Sequence, residues 1–101
     1  SKLKWPDSAG PFTGDAKRDL IEIAAYIARD APNRARSFSK ELRSKCVKLG
    51  ENPFSGSARS YIKPNLRILP HGRYVIYYEV SDQEVLILRI YHSARLIDDL
   101  T

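Results

Sequence analysis

The hydrophobic pattern changes period midway along the 101-residue chain. From Ala16 to Leu49 apolar side chains recur every three or four positions, the spacing of a helix with one buried face. From Leu66 to Tyr91 the runs are short, β-branched and aromatic, as in half-buried strands. Residues 15–30 predict a first helix, with Asp15 as its N-cap and Ala16, Leu20, Ile23, Ala24 and Ile27 on its inner face. Ile21 and Ala28 widen that face. Pro32 suits the first turn of a second helix, whose inner stripe is Ala35, Phe38, Leu42, Cys46 and Leu49. Gly50 and Pro53 end it. The short link "DAP" makes the two helices an antiparallel hairpin.

Residues 51–65 read as a connecting loop. "LRIL" (66–69), "RYVIYYEV" (73–80) and "VLILRIY" (85–91) then form an antiparallel meander through tight links, with His71 exposed in the first hairpin turn. "KLKW" reads as a short strand with Leu3 and Trp5 on one face, and residues 6–14 as a loop or arm broken by Pro and Gly. The expected fold is α+β, a single domain over 1–101 in the order β-α-α-β-β-β, with a helical hairpin on a small antiparallel sheet. In the last strand Leu86, Leu88, Ile90 and His92 share one face, expected to meet the helices. Arg89 and Tyr91 then lie on the open face. Both faces of the preceding strand carry apolar residues, so both are expected to be covered, one by the helices and one by a tail or a partner.

Composition narrows the function classes. With 43% hydrophobic and 29% charged residues the chain is globular. It has no apolar run long enough to span a membrane. Its N-terminus lacks the apolar core of a secretory signal, and its single cysteine fits a reducing compartment, so a cytoplasmic location is expected. The formal charge of +5 either attracts an acidic partner or simply keeps the protein soluble. No metal site or cofactor is expected, because the two histidines and one cysteine have no ligand spacing.

The candidate binding residues are Arg67, Arg73, Tyr77, Arg89, Tyr91, His92 and Arg95. Arg and Tyr combine contact area with directional hydrogen bonds, which suits interface centres. Three of them also have a plainer use: Arg67 in a structural ion pair with Glu79 or a loop carboxylate, Arg89 as a solvated strand residue, His92 as a hydrogen-bonded structural histidine. Cys46, on the inner stripe of the second helix, reads as a small buried hydrophobe.

Four stretches carry a resemblance. "AKRDLIEIAAYIARDAPNRARSF", "LGENPFSG", "LRILPHGRYVIYYEV" and "VLILRIYHSAR" together resemble the ParE/RelE superfamily of bacterial type II toxins over roughly residues 15–100. That resemblance implies a toxin neutralised by a cognate ParD-like antitoxin in a heteromeric complex. Within it, RelE-like members cut mRNA on the ribosome, and the better-known ParE-like members bind DNA gyrase. Val75 stands where RelE-like nucleases place a catalytic arginine. No clear catalytic lysine pair precedes the meander, where only Lys63 stands in the connecting loop, and "LIDDLT" lacks their terminal tyrosine. The ParE-like, non-enzymatic branch with gyrase as target is therefore expected, with ribosome-dependent mRNA cleavage as the alternative.

Overall fold

The computed structural model describes residues 11–82 and 84–93. The "KLKW" strand and Arg95 lie outside them. Two helices, α1 (Gly14–Ala28) and α2 (Pro32–Glu51), pack on a four-stranded antiparallel sheet. The sheet runs β1 (Ser57–Ala58), β2 (Leu66–His71), β3 (Tyr74–Ser81) and β4 (Glu84–His92), in chain order from edge to edge. The α+β class and the helical hairpin match the sequence expectation.

The N-cap of α1 lies two residues earlier than expected. Thr13 caps the helix, because its Oγ1 accepts from the N–H of Ala16 at 3.0 Å. The same hydroxyl donates to the Leu88 carbonyl at 2.9 Å. Asp15 instead sits in the exposed first turn, paired with Arg18. Ala16, Leu20 and Ile23 are buried as expected, whereas Ile21 is 68% exposed. It is rotated by about 100° around the helix from Leu20, off that stripe, and points to solvent. All five stripe residues of α2 are buried. Gly50 does not stop α2; the helix continues to Glu51 and Asn52 is its C-cap.

The loop after α2 holds more structure than its composition suggests. A 3-10 turn at Pro53–Ser55 leads into β1, which pairs Ser57 with Ile68 and Ala58 with Arg67. β2 and β3 meet in a two-residue turn in which Gly72 adopts φ 61°, a conformation that suits glycine. His71 closes β2 and packs beside Phe38, 5.5 Å between ring centres, so it is not simply an exposed turn residue.

Ile76, Tyr78, Val80, Ile87 and Ile90 build the core with the two helices. On the opposite face Leu66, Ile68, Val75 and Tyr77 form a second buried cluster, joined by Leu88 and Tyr91. Both faces of the sheet are thus apolar. The expected faces of β4 need correction. Ile87, assigned to the open face, is fully buried against the helices, while Leu86 is exposed. The reason is a bulge. Tyr77 pairs with Arg89 and Tyr78 with Ile87, so Leu88 is an extra residue that resets the alternation. Ile90 therefore returns to the helix side in spite of its spacing from Ile87.

Beyond the named strands, Phe12 forms a parallel bridge with Ile87. Thr13 N–H donates to the Ile87 carbonyl at 3.0 Å and Ile87 N–H to the Pro11 carbonyl at 2.6 Å. Pro11–Thr13, the described part of the expected arm that bonds to β4, thus cover part of its edge.

Candidate functional site

Tyr77, Arg89 and Tyr91 come together where α1 meets the β4 edge. Arg89 spends its fork on Asp19: Nε donates to Oδ2 at 2.8 Å and Nη2 to Oδ1 at 3.1 Å. Asp19 Oδ2 also accepts from the backbone N–H of Ile90 at 2.9 Å. The Arg89 guanidinium lies 4.6 Å from the centre of the Tyr91 ring, which meets Tyr77 edge-on at 5.4 Å. The hydrogen bonds to Asp19 push the Arg89 pKa above its already high ordinary value. Arg89 is thus a fixed cation and not a proton donor.

Asp19 is absent from the candidates read off the sequence. It is 7% exposed, the lone buried charged side chain among the described residues. Its signal was there: it falls three residues after Ala16 and four before Ile23, a carboxylate inside an apolar stripe. Such a group is costly to bury without a hydrogen-bonding partner.

His92 lies on the helix side of the sheet. Its ring meets Tyr74 edge-on at 5.2 Å. The two line a cleft of about 420 Å³ together with Glu22, Tyr26 and Asp19. Burial, aided by Tyr26, raises the Tyr74 pKa, so its hydroxyl keeps its proton.

Arg67 sits elsewhere and does a different job. It faces Tyr78 across the β2–β3 pair. Its Nε donates to the Gly56 carbonyl at 3.0 Å and its Nη2 to the Phe54 carbonyl at 3.2 Å. Tyr78 completes the clamp, donating to the Pro53 carbonyl and accepting from Gly56 N–H, each at 2.8 Å. A Cβ on Gly56 would fall 2.5 Å from both the Ile68 carbonyl and the Tyr78 hydroxyl, which is why this position is glycine. The expected pair between Arg67 and Glu79 does not form; Glu79 pairs with Lys63.

Arg73 is exposed in the β2–β3 turn, and its carbonyl accepts from Ser93 N–H at 2.7 Å. The seven candidates are thus not one site. Three cluster at the β4 edge, His92 lies across the sheet, Arg67 holds a loop, Arg73 is a turn residue, and Arg95 is outside the described residues. Among the described residues no group of His, Cys, Asp or Glu could hold a metal ion. No described helix is long and apolar enough to cross a membrane.

Comparison with known proteins gives this geometry a family. The family model "ParE toxin of type II toxin-antitoxin system, parDE" matches residues 11–97. A curated relative, Toxin RelE2 of Caulobacter vibrioides, is 35% identical over 85 residues, 84% of this chain and 94% of its own length. Among solved structures, the chromosomal ParDE toxin–antitoxin system from P. aeruginosa contains a chain with the same fold at a TM-score of 0.68. That chain is 23% identical, and the match covers 80% of this chain and 90% of that one. The chain therefore belongs to the ParE toxin family of type II toxin–antitoxin systems.

Proposed function

We propose that this toxin acts by binding its target, that the target is DNA gyrase, and that a cognate ParD-like antitoxin neutralises it. The observation that carries the reading is the use of the arginines. RNA cleavage by attack of a 2′-hydroxyl needs cations aimed at the phosphate beside a group that moves a proton. Arg89 is held by Asp19, and Arg67 donates to the carbonyls of its own loop. Val75, at the position of the nuclease arginine, is buried in the second apolar cluster. These features favour a surface that binds over a site that cuts. The solved ParDE neighbour supports an antitoxin partner.

Ribosome-dependent mRNA cleavage is the second reading, favoured by the name of the curated relative, RelE2. Expression of the chain without an antitoxin separates the two. Gyrase poisoning arrests growth with induction of the DNA-damage response and inhibits supercoiling by purified host gyrase. Arrest without that response, with mRNA cut on programmed ribosomes, would replace the gyrase reading with the nuclease one.

A further inference from the structure

The connection between α2 and β2 presents large side chains to solvent. Phe54 is 61% exposed, Tyr61 81% and Ile62 40%. An exposed aromatic alone means little, since much of any protein surface is apolar. Phe54 differs because the fold holds it in place. Arg67 donates to the Phe54 carbonyl, lies 5.1 Å from the Phe54 ring centre, and bonds the Gly56 carbonyl. Tyr78 fixes the residues on either side through the Pro53 carbonyl and Gly56 N–H. Four hydrogen bonds from two strand residues thus immobilise the turn that displays the ring. A contact residue locked before binding loses little further entropy on association.

The charge of the same stretch is one-sided. Residues 53–67 contain Arg59, Lys63 and Arg67 and no Asp or Glu. Lys63 is paired with Glu79, Arg59 donates to the adjacent Ala58 carbonyl, and Arg67 faces its own loop. Donors already engaged in this way suit a diffuse electrostatic match better than a run of phosphate contacts.

We infer that the 53–63 loop is the surface with which the toxin grips a protein target, Phe54 and Tyr61 entering an apolar pocket rimmed by carboxylates. This rests on the reading of the chain as a toxin that acts by binding. It does not depend on which protein is the target.

Phe54→Ala and Tyr61→Ala test it, with Tyr61→Ala as the safer variant because that side chain is so exposed. Both should keep the wild-type melting temperature within a few degrees. The readouts are growth arrest on expression without antitoxin, affinity for purified host gyrase, and affinity for a DNA duplex alone. The expected result is at least a tenfold loss of arrest potency in each variant, with a matching loss of gyrase affinity where gyrase is the target. Lost potency with no gyrase binding even by the wild type would sink the gyrase reading and leave this surface standing. Three results overturn the inference: folded variants with undiminished arrest, a wild type that arrests nothing, or tight salt-sensitive binding to the duplex alone that both variants retain.

Discussion

Asp19 and Arg89, seventy positions apart in the chain, form a two-point ion pair that fastens α1 to the edge strand of the sheet. The carboxylate takes the Ile90 N–H as well, so it has three donors. Removing one member of a fully buried pair costs about 3–5 kcal/mol, and the partial exposure of Arg89 reduces this to roughly 2–3 kcal/mol. Asp19→Ala should therefore lower unfolding stability by about that amount in urea titration. Asp19→Asn should cost less, because its amide oxygen still accepts from Ile90. Arg89→Lys should recover only part of the loss, since an ammonium cannot reproduce the fork.

Thr13, not Asp15, starts α1. Thr13→Ala should cost about 1–2 kcal/mol, through the lost cap and the lost bond to the Leu88 carbonyl. Asp15→Ala removes only an exposed pair and should cost less than about 1 kcal/mol. Thermal melts of the two variants read the difference directly, and an equal cost would contradict the capping assignment.

Gly56 and Tyr78 form a coupled pair. Gly56→Ala forces a Cβ onto the Ile68 carbonyl and the Tyr78 hydroxyl, with an expected loss of about 1–3 kcal/mol or more. Tyr78→Phe removes two hydrogen bonds and leaves the Gly56 N–H seeking an acceptor, with an expected loss of about 1–3 kcal/mol. The double variant should lose less than the sum, because the second change relieves part of the clash made by the first. Strict additivity would mean that the two groups do not share the contact.

Cys46 is buried in the core, and burial pushes its thiol from 9.0 up to about 12, with Arg43 opposing weakly. The folded chain should be inert to thiol reagents at neutral pH and react only on unfolding. The sign of the pH effect follows. The unfolded chain loses this proton near pH 9, while the folded chain keeps it to about 12. The stabilisation is complete below pH 9 and is lost as pH rises towards 12, at about 1.4 kcal/mol per unit. Comparing the stability of the wild type and Cys46→Ala across that window isolates the effect, because the variant lacks this slope.

The sequence showed the helical hairpin and the meander well, because repeats of three to four and of two residues are local properties. It did not show β1, whose two residues, Ser57 and Ala58, are strand only because Ile68 and Arg67 lie opposite. Nor did it show the bulge at Leu88. One inserted residue inside an unbroken apolar run leaves no mark in the alternation, yet it exchanges the faces of Ile87 and Leu86. Arg89 and Tyr91 were legible as sharing a face, but Tyr77's place beside them was not, because both faces of its strand carry apolar residues. The roles of the arginines were not: the acceptors of Arg67 are backbone carbonyls, which no residue pattern advertises, and that of Arg89 is on another element.

The stitching of Pro11–Thr13 and Asp19 to β4 has a consequence for synthesis. The start of α1 finds its hydrogen-bonding partners only in the last described strand. Such distant contacts are slow to form, because a long loop must close before they contribute. While the chain is still emerging from the ribosome, the helical hairpin has neither its edge strand nor the residue that holds Asp19. The molecule should then acquire its finished shape late and nearly all at once, so that a nascent chain lacking β4 has little folded toxin to offer either target or antitoxin.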